Sequence, residues 1–437
     1  MDNGRLKKNI SWIFAANALH AGFSFLLSIF VARILSLDDN GLLGYATSWI
    51  TFFSYCTGLG YGGVTTKYFA QDEEHAGTYL CSFVGFRFVA SVLAVILLQI
   101  IVRSMNPGEP LLHQVVFWQS LSILFGGLDL FIYWFRFINK ANISAMVKLA
   151  AFAVSAVWRI VALAVFHSLL GYAIGVAMET ILNGSLVMAI YFRYPKGRFT
   201  FDASVARKAL RYSYPFIFSS ILLTIYGQAD KIMLKNMMDS ASVALYQVSL
   251  TLAGCIAMLP NSLIEGFRPD IMEAKLHDEK LFQRRMRQLY ALVFWLCVAY
   301  GVFVTAFAKW LILFFYTEKY LGAVPSLSLI VWYTSFSYFG AINSVFMVAE
   351  GTNKWVPVNS FVGAVTNVIL NFLLIPPLGI VGAALASLLT QFVANFLMML
   401  INPRLRKGFR LMVAGICLQD IGYQELLDKG KKILLRK

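Results

Sequence analysis

Charged residues are scarce in this chain. Only 14% of its 437 residues are Asp, Glu, Lys or Arg, whereas 59% are hydrophobic. Soluble domains carry close to a quarter of charged residues, so this chain has too few charges to cover a surface that faces water. Apolar stretches of about 20 residues, the length that crosses a bilayer, recur from Ile10 to Ile401. The composition therefore excludes a soluble protein and predicts a polytopic membrane protein.

Motifs that carry catalysis or bind metals are also missing. The sequence has no HExxH, GxSxG, Walker loop or DxD-type carboxylate pair, and its five cysteines show no CxxC or metal-ligand spacing. The connections between apolar stretches are too short to hold a catalytic loop. We therefore expect no enzyme activity, no cofactor and no metal site.

The net charge of +15 is not the footprint of a nucleic-acid-binding protein. The basic residues collect between apolar stretches instead of lining one soluble face, so we expect no nucleic-acid partner. Their distribution predicts membrane topology instead.

The apolar stretches predict an all-α fold of twelve transmembrane helices in two six-helix lobes. The predicted spans are 10–35, 42–66, 78–102, 114–137, 145–167 and 170–192, followed by 213–235, 243–267, 288–316, 323–349, 355–375 and 379–401. The corresponding domains are an N-terminal lobe at 1–192, a cytoplasmic linker at 193–212, a C-terminal lobe at 213–402 and a basic cytoplasmic tail at 403–437.

Basic residues also predict the orientation. With the amino terminus inside, 29 of the 37 Lys and Arg residues fall in cytoplasmic segments and five fall near the outer face. Because cytoplasmic loops of membrane proteins are enriched in Lys and Arg, both termini should be cytoplasmic. The end of the tail, from Asp420 to Lys437, has an amphipathic pattern suited to an anionic leaflet, although a frayed terminus fits equally well.

A few ionisable residues lie inside the apolar stretches, where each costs about 2.5 to 3.5 kcal/mol unless it finds a partner or water. They are Arg87, Asp129, Arg159, Glu179 and the adjacent pair Asp230 and Lys231. Arg87 and Arg159 lie too deep for their side chains to reach the headgroups easily, so each either faces a cavity or forms an ion pair between helices. Arg33 and Lys67 are closer to helix ends and can reach the headgroups.

Short motifs in both halves resemble polysaccharide-export proteins. The first half has Leu6-Lys7-Lys8-Asn9 and Ala32-Arg33-Ile34-Leu35-Ser36; the second has Ser213-Tyr214-Pro215-Phe216, Gln228-Ala229-Asp230-Lys231, Gly351-Thr352-Asn353-Lys354 and Gly379-Ile380-Val381-Gly382. The resemblance is to Wzx-type O-antigen flippases of the MOP superfamily, which also contains multidrug exporters of the MATE type.

This resemblance implies a V-shaped, MATE-like transporter in the bacterial inner membrane. Its expected substrate is an undecaprenyl-pyrophosphate-linked oligosaccharide, moved to the outer leaflet by alternating access, with a polysaccharide polymerase and glycosyltransferases as partners besides membrane lipids. A cationic cleft for the diphosphate is assigned to Arg87, Arg159, Arg33, Lys67 and Lys231. Coupling to H⁺ or Na⁺ is assigned to Asp129, Glu179 or Asp230.

Two other functions fit the same sequence. A cation-coupled multidrug exporter of this fold would be expected to have a cavity lined mainly by carboxylates. The apolar stretches of this chain contain both acidic and basic residues. A membrane scaffold for glycosyltransferases would leave the intramembrane arginines without a role.

Overall fold

The computed structural model describes residues 3–419, without the side chains of residues 3–11, 13, 14, 63, 214–216, 218 and 219. All regular structure in this part of the chain is helical, which confirms the predicted all-α class. The first helices are α1 Asn3–Ile34, α2 Leu37–Thr57, α3 Tyr61–Gln71, α4 Ala76–Met105, α5 Pro110–Phe125, α6 Leu130–Phe137, α7 Ala141–Ala164 and α8 Leu169–Tyr191. They are followed by α9 Ala203–Met237, α10 Ser240–Gly254, α11 Met258–His277, α12 Glu279–Phe315, α13 Val324–Ala349, α14 Val356–Phe392, α15 Met398–Ile401 and α16 Arg406–Ile416.

Nine helical segments in residues 3–419 are long and apolar enough to cross a membrane. They coincide with nine of the twelve predicted spans. Helices α9 and α13 occupy two of the other predicted positions without meeting the same criterion. The third predicted span, 42–66, is interrupted, because a turn at residues 58–60 divides it between α2 and α3. The chain is thus a multi-pass membrane protein, and the count of twelve spans stays a prediction.

Helix α4 shows why these helices suit a bilayer. Val89, Leu93, Ile96 and Ile100 are spaced by three or four residues, and each is between 54% and 64% exposed. Residues at this spacing share one face of a helix. An exposed apolar stripe of this length is unfavourable in water and favourable against lipid chains.

Polar caps define where several helices begin. The hydroxyl of Ser36 accepts a hydrogen bond from the backbone N–H of Asp39 at the start of α2. Asp202 accepts one from the N–H of Ser204 at the start of α9. Each cap satisfies a backbone donor that a helix leaves unpaired in its first turn. Because α9 begins at Ala203, the second half of the predicted 193–212 linker is helical.

Helix α14 bends sharply after Pro376 and Pro377. Gly379 has φ 58° and ψ −133°, a conformation that favours glycine, and it separates two spans at Asn353–Leu378 and Ile380–Ile401. The predicted pair of spans at 355–375 and 379–401 is therefore confirmed.

The described residues form two compact units. The first comprises Met1–Gln247 and Ile312–Leu321, and the second Val248–Leu311 and Gly322–Lys437. This division does not decide the predicted lobe boundaries, which stay a prediction. Two apolar cores lie in the described part of the first unit. One of them includes the stacked rings of Tyr61 and Phe83, whose centroids are 4.7 Å apart.

The second unit contains a helix that the sequence analysis missed. Helix α16 lies within the predicted 403–437 tail, and its Leu411 and Met412 are buried in the apolar core of this unit. The Lys407 ammonium lies 2.6 Å from a carboxylate oxygen of Glu279 and 2.6 Å from one of Glu350. Burial opposes ionisation of Glu350, but hydrogen bonds from Lys275 and Lys407 outweigh it and lower its pKa.

Two predicted features lie outside the described residues. They are the amphipathic segment from Asp420 to Lys437 and the side chains of Arg5, Lys7 and Lys8.

Candidate functional site

A cavity of about 700 Å³ lies inside the first unit. We call it the cationic cavity. Its lining includes Tyr55 of α2, Lys67 of α3, Arg87 of α4, Asp129 just before α6, Tyr133 of α6 and Tyr212 of α9. Five helices of the first unit thus contribute to it. The volume is within the range of about 300 to 1,000 Å³ that is usual for ligand sites.

Glycines shape this cavity. Helix α2 ends at Thr57, and Gly60, with φ 63°, turns the chain into α3. A Cβ atom on Gly62 would lie 2.4 Å from the hydroxyl oxygen of Tyr133. Only glycine therefore lets the Tyr133 ring approach α3 at this point.

Asp129 reaches the cavity because the helix is interrupted. Gly126–Asp129 forms a short turn of 3₁₀ helix between α5 and α6. The Asp129 carboxylate accepts a hydrogen bond of 3.1 Å from the side-chain amide of Asn183 on α8. This carboxylate also lines a smaller cavity of about 210 Å³, which we call the inner cavity, together with Asn17, Arg136 and Lys148. Asp129 therefore belongs to both cavities.

Arg87 has unsatisfied hydrogen-bonding capacity. Its Nε atom is buried and has no hydrogen-bond partner among the described residues. A buried donor without a partner costs about 1 to 3 kcal/mol, and more when the group is charged. Arg87 is therefore suited to an anionic ligand that enters the cavity.

Lys67 supplies the second cation of this cavity. Its ammonium lies 4.1 Å from the centroid of the Tyr212 ring, a cation–π contact that leaves its hydrogen-bond donors available to a ligand. The side chain is exposed, which also leaves it free to reach a headgroup.

Arg159 is placed differently. Its Nη2 atom lies 2.5 Å from Glu179 Oε2, and it also donates a bond of 3.3 Å to the carbonyl oxygen of Gly175. The other carboxylate oxygen of Glu179 lies 3.0 Å from Nε2 of His20 on α1. These side chains tie α1, α7 and α8 together. Arg159 lines neither the cationic cavity nor the inner cavity.

The remaining candidates also have local partners or lie elsewhere. Arg33 donates hydrogen bonds of 3.0 and 2.7 Å to the carbonyl oxygens of Phe315 and Phe314, at the end of α12, where a cation is favourable. Asp230 is buried and accepts a hydrogen bond of 2.6 Å from the Tyr246 hydroxyl. Lys231, next to it, is partly buried and is absent from the lining of the cationic cavity.

The structure therefore brings together three of the eight candidate residues at one cavity: Arg87, Lys67 and Asp129. It does not place the other five there: Arg159, Arg33, Lys231, Glu179 and Asp230. The sequence analysis gave no role to His20, Tyr133 or Asn183. The position of His20, an ionisable group within an apolar helix, was the signal that could have pointed to it.

Comparison with known proteins identifies the family. The family model described as "Polysaccharide biosynthesis protein" matches residues 6–267, more than half of the chain and the whole lining of the cationic cavity. The chain belongs to this family. A search of curated protein sequences finds no match.

Solved structures show the fold that this family member shares. The lipid II flippase MurJ in an inward closed conformation superposes with a TM-score of 0.74 at 14% identity, over 93% of this chain and 90% of that one. An inward-facing MATE multidrug resistance transporter of the MOP superfamily gives 0.70 at 14% identity, over 91% and 95%. An outward-facing MATE transporter gives 0.60 at 13% identity, over 94% and 95%.

These findings confirm the resemblance to flippases of the MOP superfamily at the level of family and fold. The three solved structures compared above are a flippase and two multidrug transporters. The chain is thus a membrane protein of polysaccharide biosynthesis with a transporter fold.

Proposed function

We propose that this protein is a flippase that moves an undecaprenyl-pyrophosphate-linked oligosaccharide across the cytoplasmic membrane by alternating access. The observation that supports it most is Arg87, which lines the same cavity as Lys67 and whose buried Nε has no hydrogen-bond partner among the described residues. A diphosphate accepts several charge-assisted hydrogen bonds, and a guanidinium offers them in a planar array. Arg87 would hold the diphosphate, with Lys67 as a second contact.

The surroundings of the two cations suit this ligand. The low dielectric of a membrane protein interior strengthens the attraction between Arg87 and a phosphate oxygen. The lining also includes the hydroxyl-bearing rings of Tyr133 and Tyr212. Family membership supports a role in polysaccharide biosynthesis. The fold shared with the lipid II flippase MurJ supports a lipid-linked substrate.

The proposal includes a setting in the cell. We place the protein in the bacterial inner membrane with both termini in the cytoplasm, since basic residues predominate in the segments assigned to that side. Glycosyltransferases would supply the lipid-linked oligosaccharide, and a polymerase would consume it on the outer face.

Multidrug export is the second candidate, because MATE transporters share the fold and Asp129 offers a carboxylate to an organic cation. The cationic cavity has two cations and one carboxylate in its lining. This balance favours an anionic ligand over a cationic one.

Transport into proteoliposomes can test the flippase. A charge-assisted hydrogen bond contributes on the order of 1.5 to 3 kcal/mol, so Arg87→Ala should lower transport of lipid-linked oligosaccharide about 10- to 150-fold. Arg87→Lys should keep part of the activity because it keeps the charge. Arg103→Ala is the matched control, since Arg103 lies exposed in the last turn of the same helix.

Two results would contradict the proposal. One is normal transport of lipid-linked oligosaccharide by a well-folded Arg87→Ala protein. The other is export of cationic dyes by the unchanged protein with no movement of lipid-linked sugar, which would favour the multidrug exporter.

A further inference from the structure

A third cavity, of about 230 Å³, adjoins the cationic cavity in the first unit. Tyr55 of α2 and Ser220 of α9 line both cavities, so the two meet at these residues. We call the third one the uncharged cavity because none of the residues that line it carries a charge. Its lining is Tyr55, Ser220, Leu223, Thr224, Gly227 and Gln228.

Helix α9 provides most of this lining from one side. Ser220, Thr224 and Gln228 are spaced by four residues, so their side chains lie on one face of the helix. Tyr212, which lines the cationic cavity, lies on the same helix about 24 Å from Gln228 at 1.5 Å per residue. The two cavities can therefore receive different parts of one extended ligand.

Gln228, which lines this cavity, has an acceptor without a partner among the described residues. This acceptor is its buried Oε1 atom. The hydroxyl of Thr224, one turn away, donates to the Ser220 carbonyl oxygen, which leaves the Thr224 oxygen able to accept as well. Acceptors without charge suit a ligand rich in hydroxyl groups.

Tyr55 and Gly227 give the cavity its shape. The Tyr55 side chain is 56% exposed, so its ring presents an apolar face, and its hydroxyl a polar tip, to a ligand. Gly227 has ordinary helical backbone, and no atom lies within 4 Å of the position that a Cβ would occupy. Glycine in a helix interior lowers helix stability by about 1 kcal/mol relative to alanine. At position 227 it leaves the space beside the helix open to a ligand.

We propose that the uncharged cavity is a sugar subsite, in which the oligosaccharide of the substrate packs on Tyr55 and donates hydroxyl hydrogen bonds to Gln228 and Thr224. The diphosphate of the same molecule occupies the cationic cavity. This inference rests on the proposed function, and it assigns recognition of the sugar to a set of residues distinct from the cationic contacts.

The test compares two ligands for the purified full-length protein in nanodiscs. They are undecaprenyl diphosphate and the pool of undecaprenyl-diphosphate-linked oligosaccharide extracted from the native cells. The unchanged protein should bind the glycosylated lipid more tightly. Gln228→Leu should weaken that binding about 2- to 10-fold, the range of one neutral hydrogen bond, and leave binding of the sugar-free lipid unchanged.

Matched variants test two features of the cavity. One pair separates the contribution of the Tyr55 ring from that of its hydroxyl. The other pair separates the loss of space at Gly227 from the general effect of a large side chain in a helix. Tyr55→Ala should weaken binding of the glycosylated lipid, whereas Tyr55→Phe should retain most of it. Gly227→Leu should block the sugar end, whereas Gly22→Leu, at an equally open glycine of α1 that lines none of the three cavities, should not.

Each outcome has a distinct meaning. Equal affinity of the unchanged protein for both lipids, or an equal loss for both in Gln228→Leu, would overturn the sugar subsite and leave the flippase proposal standing. No binding of either lipid would contradict the proposed function itself.

Discussion

Replacing Arg159 with alanine should destabilise the first unit. The Arg159 side chain is only 9% exposed and contacts Glu179 at 2.5 Å, and its guanidinium lies 5.8 Å from the centroid of the Tyr172 ring. Removing one partner of a fully buried ion pair costs about 3 to 5 kcal/mol. The cost here should be smaller, because the Glu179 side chain is 25% exposed. Glu179 would keep only its bond to His20, and α7 and α8 would lose their ionic link.

Thermal unfolding of the purified protein in detergent measures this loss. Arg159→Ala should lower the unfolding midpoint clearly, and adding Glu179→Gln should restore part of it by removing the unpaired charge. Arg103→Ala, an exposed arginine, serves as the control and should change little.

One result would refute the structural role of Arg159. If Arg159→Ala unfolded at the normal midpoint and yet failed to transport lipid-linked oligosaccharide, the side chain would act on the substrate. Arg159 would then belong to the cationic cleft that the sequence analysis assigned to it.

Three further predictions concern topology, coupling and pH. A cysteine introduced at Ser204 should react with an impermeant thiol reagent only from the cytoplasmic side, and labelling from outside intact cells would contradict the orientation. Asp129→Asn should make transport independent of a proton or sodium gradient, since Asp129 lines both the cationic and inner cavities; transport that keeps its full gradient dependence would exclude this role. Because the pKa of Glu350 is lowered in the folded protein, the stability it contributes is present near neutral pH and is lost as pH falls through that lowered value. The rate of hydrogen exchange in α16, corrected for intrinsic rates, should therefore rise on acidification. Lys407→Gln should raise that rate already at pH 7. Equal protection of α16 in the variant and the unchanged protein would argue against its attachment through Lys407, Glu279 and Glu350.

Much of the architecture followed from the sequence. Long apolar stretches exclude all but helices in a bilayer, because every backbone polar group there needs a partner within its own segment. The bend near Gly379 could also be predicted from the sequence, because two prolines followed by a glycine interrupt a regular helix. Helix α16 was missed because its charged face made it resemble a free tail, while its buried face depends on neighbours distant in the chain.

The site was only partly readable. The sequence analysis selected both Arg87 and Arg159 as candidate site residues, because both lie deep in apolar helices, where an unpaired charge is unfavourable. The tertiary structure separated them, because Nη2 of Arg159 bonds to Glu179 on the next helix and Arg159 lines neither the cationic nor the inner cavity, whereas Arg87 lines the cationic cavity. Sequence determines which residues need a partner in the membrane; the packing of one helix against another decides which of them find that partner within the protein and which line a cavity.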